Sequence, residues 1–139
     1  MHAPLYSTIT LFAEIIISTV IYYTLYQGYK HNKFPVKLAS AALLYEILFN
    51  ITYMVSQVPN HARTARIEPA FVIALAIIHG ILSLLMFLSL IVFFLAAWLA
   101  YRRKTNFFKN HSTLTMTFLI FWTLSVASGI VFYLMEYVF

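Results

Sequence analysis

The sequence contains no cysteine and very little charge. Without cysteine the chain can form no disulfide, no thiolate metal site and no cysteine nucleophile. Charged residues make up 9% of its 139 residues, against about 25% in an ordinary water-soluble domain. The chain also lacks a Gly-rich phosphate loop, an HExxH motif and a nucleophile triad pattern. These absences exclude a soluble globular domain and leave no pattern for hydrolytic or nucleotide chemistry.

Long apolar segments make up most of what is present, and 63% of the residues are hydrophobic. A hydrocarbon core about 30 Å thick needs about 20 residues of helix to cross it. Four segments reach that length, and short loops punctuated by Gly28 and by prolines separate them. We therefore predict an all-α integral membrane protein, a four-transmembrane-helix up-down bundle with short loops in a single domain over residues 1–139. The predicted helices are 5–27, 38–58, 70–101 and 113–137.

Basic residues lie mainly in two of the three loops. Seven of the nine follow the first or third segment, and two lie in the second loop. Because basic loops stay in the cytoplasm, this predicts a multi-pass protein of the cell (inner) membrane with loops one and three inside and both termini outside. The charge distribution suits anionic lipid head groups, so we expect membrane lipids as partners and not nucleic acid. The seven are Lys30, Lys33, Lys37, Arg102, Arg103, Lys104 and Lys109, and the two are Arg63 and Arg66.

Two acidic residues, Glu14 and Glu46, lie well inside apolar segments. A charged side chain at the bilayer centre costs about 2.5–3.5 kcal/mol, so neither is expected to face lipid. Each belongs to a row of polar residues on one helix face, and the two rows are expected to face one another. The rows are Thr10, Glu14, Ser18 and Tyr22 on the first helix and Glu46, Asn50, Tyr53 and Gln57 on the second. They could form a proton path or a polar seat for a cofactor, or simply interhelical hydrogen bonds worth about 0.6 kcal/mol each.

His79 is the only histidine within a segment, and Gly80 beside it could let a flat ligand or another helix approach. One hypothesis makes His79 an axial haem ligand. A second haem ligand at the same depth is missing, because His111 opens the fourth segment on the opposite side. His79 and His111 are therefore candidate metal ligands at separate places. A pair of His79 with Glu14 or Glu46 fits the depths better and could bind a metal or relay a proton, while a purely structural histidine remains the alternative.

The fourth segment carries a pair of small residues, Ser125 and Gly129, with Ser128 beside them. Small residues four apart allow two helices to pack closely in a membrane. We expect this pair to form a contact inside the bundle.

Several short motifs stand out together in this chain. They are His79, the turn Tyr101-Arg102-Arg103-Lys104, Tyr53-Met54, and His111, Trp122, Gly129 and Tyr133 with the string FWTLSVASGIVFYL. In these motifs the chain resembles a family of small four-span bacterial and archaeal proteins, the CtaM/YozB type. The resemblance covers most of the chain and implies a link to the maturation of haem-copper oxidases. We expect Trp122 and Tyr133 to serve packing or partner contacts.

The chain departs from that family just before the second segment. The family has a histidine there, whereas this chain has Pro35 and Val36, with His31 several residues away. If the family histidine binds metal or haem, the resemblance implies that this chain kept the scaffold without that site. The departure favours a structural subunit of a respiratory complex over an assembly factor.

Three functional hypotheses follow. The first is an accessory protein, not an enzyme, that acts as a small subunit or maturation factor of a respiratory haem-copper oxidase or related complex. Its partners would be other subunits of that complex, and any haem or copper would come through them. The second is a membrane electron carrier that binds haem or quinone with His79 and the Glu46 row. The third is a small proton channel or transporter that uses Glu14 and Glu46.

Overall fold

The computed structural model describes residues 5–57 and 69–139. In this part of the chain the secondary structure is entirely helical, and four helices are long and apolar enough to cross a membrane. The prediction of an all-α protein with four transmembrane helices is confirmed. The helices are α1 (Leu5–His31), α2 (Val36–Gln57), α3 (Ala70–Arg102), α4 (Phe107–Asn110) and α5 (Ser112–Tyr137). The second loop, with Arg63 and Arg66, and the predicted end of the second helix at 58 lie outside the described residues.

The first loop is shorter than predicted because Gly28 does not end the first helix. α1 continues through Gly28 to His31 and ends where Asn32 adopts a left-handed backbone, with φ 52°. Asparagine is one of the few residues other than glycine that tolerates this conformation at a helix end. The carbonyl of Pro35 then accepts a hydrogen bond from the Ala39 backbone N–H, at 2.9 Å, as the next helix starts.

The third loop contains a one-turn helix, α4, that we did not predict. The Asn106 side chain caps it by accepting a hydrogen bond from the Lys109 backbone N–H, at 3.1 Å. Tyr101 at the end of α3 donates its hydroxyl to the same Asn106 oxygen, at 2.7 Å. This turn places Phe108 against the end of the bundle, where it is fully buried. Asparagine is a preferred residue at the start of a helix, so Asn106 was the local signal in the sequence for α4.

The four long helices form a ring in the order α1, α2, α3, α5. α1 packs against α2 and α5, and α3 packs against α2 and, most extensively, α5. Across the described residues the diagonal pairs, α1 with α3 and α2 with α5, make no close backbone approach. α1 and α5 are antiparallel, because Thr8 is hydrogen-bonded to Tyr133 near one end and Tyr22 to Thr123 further along.

The two halves of the bundle differ in character. The buried apolar side chains lie in the half nearer to the first and third loops, which we call the basic end. There the rings of Phe93 and Phe118 stack with centroids 4.6 Å apart. The outer surface of the bundle carries many exposed leucine, isoleucine, valine and phenylalanine side chains, as expected for helices that face lipid. Glu14 and His79 belong to the half farther from the basic end, and Glu46 lies near the middle of α2.

Candidate functional site

The two carboxyl groups predicted to avoid lipid meet each other. Glu14 on α1 and Glu46 on α2 lie within hydrogen-bonding range of one another between these neighbouring helices. Glu46 is the more enclosed, with 3% of its surface exposed. The ring order of the helices explains the pairing, because α1 and α2 are direct neighbours.

Asn50 fixes the Glu46 side chain from one turn further along α2. Its amide nitrogen donates to the Glu46 backbone carbonyl at 2.7 Å and to Glu46 Oε2 at 3.2 Å. The other carboxyl oxygen, Oε1, is buried and has no donor in the described part of the chain when both carboxyls are ionised. An unpaired buried acceptor is costly, so this oxygen is the least satisfied atom of the site.

Tyr45 is a member of the site that the sequence analysis missed. It lies close enough to Glu14 and Glu46 to interact electrostatically with both. Its ring stacks on Phe49, which in turn stacks on Tyr53. In the sequence, the spacing of four residues between these rings was the one feature that could have pointed to Tyr45. The same spacing is typical of aromatic residues that simply face lipid. Tyr53, which was predicted as part of the polar row of α2, therefore also belongs to this row of aromatic rings. The side chain of Gln57, the last member of the polar row, lies outside the described part of the structure.

The polar row of α1 divides between two neighbours instead of facing α2 along its whole length. Glu14 meets α2, but Ser18 accepts a hydrogen bond from Trp122 Nε1 on α5 at 3.2 Å. Tyr22 is bonded to Thr123 on α5 at 2.7 Å, and Thr10 donates to its own helix. A helix with 3.6 residues per turn rotates a spacing of four by about 40° at each step. The expectation that the two rows face one another therefore applies only near the carboxyls.

His79 lies between α3 and α5 and has no glutamate partner among the described contacts. Its Nδ1 is 2.8 Å from the hydroxyl oxygen of Ser128, and its ring stacks on Phe132 with centroids 6.3 Å apart. A Cβ added at Gly129 would come 2.9 Å from His79 Cε1, so glycine is what makes room for the ring. Gly80, by contrast, has open space where a side chain would begin.

The small residues of α5 form the contact inside the bundle that we expected. Ser125 is buried, and its backbone carbonyl accepts a hydrogen bond from the Ser128 hydroxyl at 2.7 Å. Gly129 packs under the His79 ring. Together with His79 on α3, these residues form what we call the α3–α5 seam: His79, Ser125, Ser128 and Gly129.

His111 lies far from His79, at the basic end. It is exposed, its Nδ1 is 3.0 Å from the backbone carbonyl of Phe107, and its ring packs on Phe107. It precedes Ser128 by 17 residues, which is about 25 Å of helix. Within residues 5–57 and 69–139, no three histidine or acidic side chains come together as a metal site would require.

Comparisons of the chain with protein-family models, with curated proteins and with solved structures found no match. The likeness to the CtaM/YozB-type family therefore rests on the short motifs alone and stays a prediction.

Proposed function

We propose that this chain is a non-catalytic accessory protein, a small subunit or maturation factor, of a membrane respiratory complex of the haem-copper oxidase kind. In this proposal it spans the cell membrane several times, with the basic loops in the cytoplasm and both termini outside. Its partners are other subunits of that complex. The resemblance to the CtaM/YozB-type family motivates the proposal.

One structural observation supports it: four of the residues that carry the resemblance hold α5 in place. His79 and Gly129 pack together in the α3–α5 seam. Trp122 and Tyr133 bond to Ser18 and Thr8 and so join α5 to α1. These contacts give each of the four residues a structural role that requires no bound cofactor.

The proposal predicts which proteins accompany this chain out of the membrane. Mild-detergent purification from its native membrane should recover oxidase subunits, identified by mass spectrometry, and a visible spectrum should record any haem. A subunit would accompany the mature oxidase, and a maturation factor would accompany unassembled intermediates. Deletion of the chain should lower oxidase activity in the membranes, and expression of the intact chain should restore it. Purification as a lone protein, with oxidase levels unchanged by the deletion, would contradict the proposal.

The Glu14–Glu46 pair favours a second candidate, a proton-exchanging site within the membrane. An ionised carboxylate has only acceptors, so two carboxyls can share a hydrogen bond only when one of them carries a proton. Two ionised carboxylates within hydrogen-bonding range in an apolar interior also repel each other strongly. A proton between them would remove the repulsion and could provide a donor for the buried Glu46 Oε1. In this candidate function the pair takes up and releases one proton.

Glutamine substitutions test the proton site, because glutamine keeps the hydrogen bonds and cannot exchange a proton. Glu14→Gln and Glu46→Gln should each reduce proton flux into liposomes that contain the protein to the level of protein-free liposomes. The infrared band of a protonated carboxylic acid should also disappear in the double variant, which has no carboxyl left at the site. Glu68→Gln, which removes a carboxyl that lies outside the four apolar segments of the sequence, is the control and should leave both signals unchanged. Flux and band that persist in the Glu14→Gln, Glu46→Gln double variant would exclude this function.

A further inference from the structure

A groove opens between α2 and α3 at the basic end of the bundle. It encloses about 190 Å³. Its walls are almost entirely apolar, and several wall residues are also exposed on the outside of the bundle, among them Val36 and Leu95. The groove therefore opens toward lipid. We call it the α2–α3 groove; its walls include Phe34, Val36, Ala39, Leu43, Leu95 and Trp98.

Basic residues lie near this groove. The guanidinium of Arg102 lies over the ring of Trp98, 5.2 Å from its centroid, which fixes a cation at the rim. Lys33 and Lys37 are adjacent in sequence to the wall residues Phe34 and Val36. The chain has four acidic residues, and none lies in the first or third loop. The positive charge at this end is therefore not neutralised by the protein itself.

We propose that the α2–α3 groove is a binding site for an anionic phospholipid, whose acyl chain lies along the apolar walls and whose phosphate contacts Arg102 and Lys37. The charge complementarity selects the head group, because a basic side chain near an anionic membrane surface favours such lipids. The apolar walls open toward lipid, so an acyl chain of the surrounding bilayer can enter the groove directly. The site goes beyond the accessory role and does not depend on it.

Quenching of tryptophan fluorescence by brominated lipids tests the site, because the two tryptophans differ in access. Trp98 lines the groove, whereas Trp122 is 3% exposed inside the bundle. The protein would be reconstituted in phosphatidylcholine vesicles that contain either brominated phosphatidylglycerol or brominated phosphatidylcholine at the same mole fraction. We expect the anionic lipid to quench Trp98 with an apparent affinity about tenfold higher than the zwitterionic one.

Three variants locate the effect. Lys37→Gln with Arg102→Gln should bring the ratio of the two apparent affinities, the preference for the anionic lipid, close to one. Ala39→Phe places a ring in the groove from a buried position and should lower quenching by both lipids. Lys30→Gln with Lys109→Gln is the matched control, because it also removes two charges from the same end of the bundle but its residues lie on α1 and α4, outside the groove. It should leave the preference unchanged.

Three results would overturn the proposal. The first is equal quenching by the two lipids in the unmodified protein. The second is an equal loss of preference in Lys30→Gln with Lys109→Gln and in Lys37→Gln with Arg102→Gln, which would assign the effect to the general charge of the basic end. The third is loss of the preference on addition of millimolar inorganic phosphate, which would indicate an anion site that takes no acyl chain. An unchanged preference in phosphate supports the lipid as the ligand.

Discussion

Replacement of Trp122 by alanine should destabilise the bundle by about 3–5 kcal/mol, the largest effect we expect from a single substitution. The indole is 3% exposed, stacks on Phe118 with centroids 5.8 Å apart, and donates to the Ser18 hydroxyl. Alanine would leave a cavity inside the helix ring, where lipid tails cannot enter. Unfolding of the purified protein by a denaturing detergent, followed by circular dichroism, measures the change.

The matched control is Trp122→Phe, which keeps an aromatic ring at the same place and removes the hydrogen bond. A hydrogen bond between membrane helices is worth about 0.6 kcal/mol, so this variant should lose about 1 kcal/mol with the smaller ring included. Ser18→Ala removes the same bond from α1, and a double-mutant cycle of the two changes isolates its energy. If Trp122→Ala and Trp122→Phe unfold at the same denaturant concentration, the indole is not packed as described.

Replacement of Gly28 by leucine should lower the stability by about 1–3 kcal/mol through overpacking. A Cβ at this position would overlap the ring of Phe108 and come 2.8 Å from the Tyr101 hydroxyl oxygen. Phe108 is fully buried, and its ring packs against those of Phe93 and Tyr101, so moving it would disturb these contacts. The same unfolding measurement applies.

Gly80→Leu provides the control for Gly28→Leu, since it makes the same chemical change on another transmembrane helix. Apart from the adjacent residues and the backbone of its own helix, no atom lies within 4 Å of the position that a Cβ at Gly80 would occupy. Leucine also has a higher helix propensity than glycine, by up to about 1 kcal/mol. Gly80→Leu should therefore be neutral or slightly stabilising. Equal destabilisation by the two substitutions would mean that the close approach of α1 and α4 at Gly28 is absent.

The membrane fold could be predicted because few alternatives exist for such a sequence. A backbone in lipid must satisfy its own hydrogen bonds, so an apolar segment of about 20 residues has to be a helix. The exact ends of the helices were harder to predict. Gly28 looks like a helix end in the sequence, but its place inside α1 follows from the Phe108 ring that packs on it. α4 has four residues, too few to show a periodic pattern.

The candidate site was predictable only in part. A carboxyl group avoids lipid at any position in a span, and this argument alone led to Glu14 and Glu46. The partner of His79 could not be obtained in this way. Glutamates at a similar depth were reasonable partners by sequence, yet His79 bonds to Ser128.

The sequence by itself determined that the chain is helical and membrane-spanning, that it lacks thiol chemistry, and that its basic charge lies in two loops. These properties depend only on composition and on distance along the chain. Only the tertiary structure decided which polar groups meet, because that depends on the order of the helices in the ring and on the rotation of each about its axis. α1 beside α2 brings Glu14 to Glu46, while α1 and α3 are diagonal and α3 turns His79 toward α5.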